Sequence, residues 1–338
     1  MIERLNFYDV YGYLLPGLGL LGVIWFPFWF VAHYELPAAW SSALVILVLG
    51  YLAGHALAPL SRLAFPHGRV LPATQGPGTA TPASKGPAIL KRRAPSDYLL
   101  DRSDPTIAES VKRALGELIH RRFGIDVLGP AEMPMEPDKR ERAEAELTRR
   151  RTTAFMLCRR ALLQHKVGSY AEQFEGLYAL MRGWTTVAWM SVVYHLGWIG
   201  GRSIPDLVPV WTAEAGLAAA GAAVIAYGIH DYRRERDVRR LRRPPVLYDP
   251  WGFRLVTLAL FFFGALVETQ VRPASALQWS TVYTLAGVAA ISGVLALRFH
   301  SVYHYFAGSF AETVYRDFYS LERYQPGTES AGATRRER

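Results

Sequence analysis

Long stretches almost without charge, set between stretches dense in arginine, constrain this chain more than any other feature. The first runs over residues 11–31. Roughly 20 apolar residues suffice for a helix to cross a hydrocarbon core of about 30 Å. A secretory signal has a positive start, a shorter apolar core and a small-residue cleavage site. This run instead ends in Trp25, Phe26, Phe28, Trp29 and Phe30, so it reads as a retained span. Further runs cover residues 38–60, 183–200, 210–229, 255–267 and 276–297. The run at 255–267 is the shortest, a length that also suits a buried or re-entrant segment.

Charge distribution sets the orientation, because Lys and Arg beside span ends favour the cytoplasmic side. Residues 1–10, 61–182, 231–254 and 298–338 are expected inside, and they hold 36 of the 38 Lys and Arg. The outer loops keep only Arg202 and Arg272. This asymmetry requires the run at 255–267 to cross; otherwise the C-terminal arginines would lie outside. The expected fold class is all-α: a polytopic bundle of six spans with a small cytoplasmic helical domain. Both termini are expected in the cytoplasm.

The spans group as hairpins 1–63, 183–230 and 255–298. Small residues allow close helix approach in lipid. They recur as Gly50 and Gly54, as Ala289 and Gly293, and through the run from Ala215, and they point to packing within the chain. Residues 64–95 carry Pro66, Pro72, Pro77, Pro82 and Pro87 without apolar periodicity, the composition of a disordered linker.

A cytoplasmic helical domain is expected over 96–182. Ser103-Asp104-Pro105 predicts a helix start, Ile107 to Phe123 recur at helical spacing, and Gly124 ends the element. Pro134 and Pro137 delimit a second helix of mixed charge. Ser169 with Glu172 forms a capping box for a third, which has no break before the third span. The sixth span's periodicity likewise continues through Phe299, Phe306, Phe310 and Phe318 into an amphipathic helix within 299–338, followed by a disordered tail. Residues 231–254 form a basic cytoplasmic loop.

The search for chemistry yields few candidates. Gly17, Gly19 and Gly22 match G-x-G-x-x-G, but the dinucleotide motif needs a preceding strand and a βαβ unit, and these glycines sit in a span. No cofactor motif is found, and a single cysteine, Cys158, excludes a multi-cysteine zinc site. His300 and His304 have the one-turn spacing of metal ligands; the plainer reading is packing at the membrane surface. His55 and His195 lie inside spans, where polar groups are costly and so are candidates for function. Bundle histidines also simply bond a neighbouring carbonyl.

Arg233, Arg234, Arg236, Arg239, Arg240, Arg242 and Arg243 form a juxtamembrane cluster suited to anionic lipid head groups, at about 1 kcal/mol per residue near the surface. The cluster also serves as a topology determinant without any ligand. The expected partners are the lipid bilayer with its anionic head groups and a cytoplasmic protein or a second copy. Nucleic acid is disfavoured because no aromatic platform accompanies the arginines. Carboxylates and cations are missing from mid-span positions, which disfavours a proton-coupled transporter.

The opening Phe7-Tyr8-Asp9-Val10-Tyr11-Gly12-Tyr13-Leu14-Leu15-Pro16-Gly17, with Gly54-His55-Ala56-Leu57 closing the second span, resembles a loose group of bacterial multi-pass membrane proteins. Some members of that group sit among phage-defence genes. The resemblance implies no catalytic residues. The continuity of two helices between the cytoplasmic domain and the spans points to a non-enzymatic membrane protein in which that domain responds to a partner or ligand and the bundle acts on the membrane, and the resemblance adds a lean towards a defence effector or scaffold in the bacterial inner membrane. A channel or transporter is the alternative. A membrane enzyme would need Glu172, Glu312 or His300 to converge with His55.

Overall fold

The computed structural model describes residues 7–35, 43–64, 69–72, 90–101, 104–130, 134–165, 170–203, 251–271 and 279–324, with isolated positions near 215–219. A helix opens at α1 (Phe7–Asp9), widens into a π-helical turn at Val10–Leu14 and continues as α2 (Leu15–Ala32). After it come α3 (Ala43–Ala64), β1 (Arg69–Pro72), β2 (Leu90–Arg93), α4 (Pro95–Tyr98), α5 (Glu109–Phe123) and α6 (Pro137–Gln164). The last three elements are α7 (Ala171–Ser203), α8 (Trp251–Val271) and α9 (Trp279–Tyr324). Helix therefore dominates, as the apolar periodicity predicts. Apart from isolated positions near 215–219, the expected span at 210–229 lies outside the described residues, as do residues 231–250 of the expected loop 231–254 and the tail after Tyr324; residues 251–254 of that loop instead open α8.

The chain divides into two compact units. One comprises Met1–Pro66 with Gly176–Tyr303, the other His67–Glu175 with His304–Arg338. α7 and α9 are each unbroken helices that contribute to both.

In the first unit, Pro16 directly follows the π-helical turn of this continuous helix and Pro27 lies further along it, each removing one backbone donor from the ladder. α2 ends with His33 in the left-handed conformation (φ 53°), and the N–H groups of His33 and Tyr34 both donate back to Phe28 O, the latter at 3.2 Å. A buried cluster of Tyr194, Trp198 and Leu285 gathers Phe26, Leu260 and Phe263 around it. α7 and α8 approach through glycine: a Cβ at Gly197 would collide with the backbone carbonyl of Phe261, and one at Gly264 with that of Tyr194. The spacing of Gly197 and Gly201 carries this contact and was not singled out in the sequence. Gly50 and Gly54, which were, pack against the first helix within the same chain.

Among the described residues, three helices are long and apolar enough to cross a membrane: Val10–Val31, Ala43–Ser61 and the first part of Trp279–Arg323. α8 spans 21 residues. That is about 31 Å at 1.5 Å per residue, longer than the apolar run at 255–267 alone suggests.

The second unit buries Leu99, Leu100, Leu115, Ile119, Phe155, Val314 and Phe318. Phe155 meets Phe310 edge-on at 5.6 Å, and Phe123 stacks on Phe318 at 5.7 Å. A polar hub sits inside this core. Arg151, 2% exposed, pairs with Asp97 at 3.0 Å and donates to the carbonyls of Val127 (2.9 Å), Asp97 (3.2 Å) and Leu100 (3.3 Å). Thr148 donates to the other oxygen of Asp97 at 3.2 Å, and Tyr315 donates to Ser96 O at 2.7 Å. Because a guanidinium carries five donors and no acceptor, one such residue can tie α4, α6 and the Val127 loop together.

Two expectations for this unit need correction. Residues 69–72 pair antiparallel with 90–93, Arg69 opposite Arg93 and Pro72 opposite Leu90. The stretch expected to be wholly a disordered linker thus carries a short ladder, too brief for alternation to be visible in the sequence. The helix expected from Pro105 starts instead at Glu109. Asp104 Oδ1 accepts from Thr106 N–H at 2.9 Å, a local turn that competes with helix. The buried Lys112 ammonium clasps the carbonyls of Asp101 and Asp104, holding them outside the helix. The predicted stop does hold: Gly124, at φ 68°, donates to His120 O at 2.8 Å. Pro137 likewise occupies the first turn of α6.

Candidate functional site

The two halves of the N-terminal signature meet in space. The rings of Tyr13 and His55 stack with centroids 4.1 Å apart and 16° between planes, and Tyr51 meets the same imidazole edge-on at 4.5 Å. Tyr8 in turn meets Tyr13 edge-on at 5.5 Å. Backbone proximity allows this. A Cβ on Gly54 would overlap the Tyr13 carbonyl, and one on Gly17 the Gly50 carbonyl. Gly19 leaves room for Trp184 of α7, while Gly22 faces open space. The three glycines that mimic a dinucleotide loop therefore serve packing or nothing.

The π-helical turn Val10–Leu14 lies at this crossing. Such single-turn insertions are rare and frequently accompany functional sites. Beside it is a cavity of ≈ 10 Å³, about the space one water needs. Tyr8, Gly12, Tyr13, Gly54, Ser61 and Arg182 are among its walls. Arg182 comes from α7 and is 4% exposed. Its guanidinium lies over the Tyr178 ring at 5.3 Å from the centroid, and Nη1 donates to the Tyr178 hydroxyl at 3.4 Å. Ser61 Oγ donates to Ala58 O at 2.8 Å within α3.

The sequence-derived candidates fall in different places. His55 is exposed apart from its ring contacts, so it does not point into the bundle. His195 is buried, with Nδ1 2.6 Å from Ser191 O and 3.2 Å from Ser191 Oγ, and Ser191 Oγ lies 2.9 Å from Ser292 Oγ of α9. That is the carbonyl-bonding role, extended into a tie between two helices. His300 stacks against Tyr303 at 6.0 Å, and His304 is half-buried in the other unit. Among the described residues no three of His, Cys, Asp and Glu gather as a metal would require. Arg233, Arg234, Arg236, Arg239, Arg240, Arg242 and Arg243 lie outside the described residues. Glu312 pairs with Arg316 on its own helix, and Glu172 is exposed.

No protein-family model, curated protein or solved structure matches this chain.

Sequence reasoning missed two polar residues of the first unit. Neither Arg182 nor Glu268 stands out by motif or spacing; Glu268 is fully buried, its carboxylate beside Gly201.

Proposed function

We propose that this chain is an integral membrane protein of six spans, with the unit built on α4–α6 in the cytoplasm, and that it acts on the membrane when that unit engages a ligand or partner. One observation carries the membrane reading. Leu44, Leu47, Val48 and Leu52 form an exposed apolar face on α3, and Ile291, Val294, Leu295 and Leu297 form another on α9. Faces of this kind are costly in water and natural in lipid. Exposed Trp29 and Tyr34 close α2, and exposed Trp279 and Tyr283 open α9. Tryptophan and tyrosine favour the membrane–water boundary, which supports placing the end of α2 and the start of α9 at the same outer boundary. The inward orientation of the termini rests on the arginine imbalance.

The triggered action is supported by the unbroken course of α7 and α9, over 33 and 46 residues. The resemblance to membrane proteins found near phage-defence genes agrees with an effector or scaffold role in the bacterial inner membrane.

Topology is tested with reporter fusions after Leu60, Gly201 and Arg338. Cytoplasmic activity is expected at the first and third and periplasmic activity at the second. Periplasmic activity at Arg338 would sink the six-span reading. Action on the membrane is tested by following membrane potential on induced expression, with and without phage challenge. A potential that stays intact under every challenge would count against an effector.

A further inference from the structure

We infer that the exposed face of α3 packs against the same face of a second copy of this chain, with His55 as the polar contact between them. This inference rests on the membrane reading above. Val48, Leu52, His55 and Pro59 are all exposed and follow one another at spacings of four, three and four residues, the seam along which two helices interlock. Ala56, also exposed, adds little bulk beside it. Lipid tails suit the leucine and valine as well as a protein would, but they offer nothing to an imidazole. His55 stands six residues before Ser61, about 9 Å along the helix from the expected cytoplasmic end of the span. Tyr13 and Tyr51 hold its ring in place, and among the described residues no hydrogen-bond partner reaches its nitrogens. A second unmet group lies at the same level. Pro59, inside α3, has no N–H to return to the His55 carbonyl one turn earlier. One exposed spot therefore carries a ring donor, a ring acceptor and a backbone acceptor. An identical spot offers the matching set, and a two-fold axis brings residue to like residue. Both copies insert with the same orientation, so their α3 helices run parallel and hold these groups at one depth. The exposed face of α9, with Ile291, Val294, Leu295 and Leu297, carries no polar group at its centre and needs nothing beyond lipid.

The test uses the full-length chain, first in native membranes. Leu52→Cys should give a disulfide-linked dimer on treatment with molecular iodine, which takes two electrons from each thiol pair as its two protons leave. Cys158 is buried, so the wild-type chain supplies the background. Val294→Cys, on the exposed face of α9, should stay at that background. Association is then measured by energy transfer between labelled copies in phosphatidylcholine vesicles, over a falling protein-to-lipid ratio. His55→Leu should weaken it about tenfold, the size of one or two hydrogen bonds between helices in lipid. His55→Gln, which keeps a donor and an acceptor, should lie closer to the wild type. If His55→Leu fails to fold, the Leu52→Cys cross-link carries the test by itself. A chain that stays monomeric, association unchanged by His55→Leu, or cross-linking through α9 in place of α3 would overturn the inference. So would a Leu52→Cys cross-link to a different protein, or one within a single chain to Ala220→Cys in the expected span at 210–229. Alkaline carbonate washing of membranes separates the two readings. A chain that washes off defeats the membrane reading, whereas a chain that is retained yet monomeric defeats the interface alone.

Discussion

Tyr13 lies flat on His55, ring centroids 4.1 Å apart, although 41 residues separate them in the chain. The stack forms because Gly54, one residue before the histidine, lets α3 touch the backbone of the π-helical turn at Tyr13 itself. A polar imidazole on an exposed helix face is thereby covered on one side by an aromatic ring, and the first two long helices are fixed in register.

That register should depend on the absence of a side chain at residue 54. Gly54→Ala would drive a methyl into the Tyr13 carbonyl and separate the helices, at a cost of about 1–3 kcal/mol or more. Gly22→Ala meets nothing within 4 Å and should be neutral or slightly stabilising. Thermal inactivation of the purified protein in detergent, followed by size-exclusion chromatography, distinguishes them. Equal midpoints for the two variants would disprove the tight crossing.

The ion pair of Asp97 and Arg151 should be the most sensitive point of the second unit. Both side chains are almost wholly buried, at 0% and 3% exposure. Removing Asp97 leaves the buried guanidinium with only the longer contact to Asp101 at 3.8 Å, and breaking a buried pair costs about 3–5 kcal/mol. The single cysteine provides the readout. Burial pushes the Cys158 thiol well above its usual range and hides it from reagents, so maleimide labelling reports opening of the core. Asp97→Asn should accelerate labelling at least about a hundredfold at neutral pH, since each 1.4 kcal/mol is tenfold. An unchanged rate would show that the hub does not hold the core.

Glu175 gives this unit a pH dependence of defined sign. Burial raises its carboxyl above the ordinary value of 4.5, outweighing the pull of Arg159, whose Nη2 lies 2.5 Å away. The folded state thus binds this proton more tightly than the unfolded state. The corresponding stabilisation is full below 4.5 and is lost as pH rises through the elevated folded value. Cys158 labelling, corrected for the intrinsic reactivity of a free thiol, should show opening becoming easier as pH rises across that window. The trend should be flatter in Glu175→Gln. An equally steep trend in the variant would assign the dependence to another group.

Much of this architecture was legible because its signals are local. Pro137 and Gly124 punctuate helices through their own backbone constraints, and Gly50 and Gly54 announce close packing by size alone. What escaped depends on pairing across the chain. Asp97 and Arg151 are ordinary charged residues in charged neighbourhoods until the fold closes around both. Lys112 looks like a solvated helix residue, yet it delays the start of α5 by clasping Asp101 and Asp104. The ladder of 69–72 with 90–93 has too few residues per strand to show a period. At the candidate site the glycines and His55 were visible from their spacing, but the participation of Arg182 from a helix more than 120 residues downstream was not.

The contact of Ser191 with Ser292 should act as a polar tie between α7 and α9. Their hydroxyl oxygens are 2.9 Å apart, and His195 Nδ1 shares Ser191 from the following turn. Hydrogen bonds between helices in lipid are worth roughly 0.6 kcal/mol on average and about 1.7 at most. Ser292→Ala should therefore weaken the bundle by an amount in that range, and Ser191→Ala by somewhat more because it also withdraws a partner from the imidazole. The double variant should cost less than the sum of the two singles, since either change already breaks the shared bond. Unfolding of the reconstituted protein measures all three, and strict additivity would mean that the two serines do not act through each other.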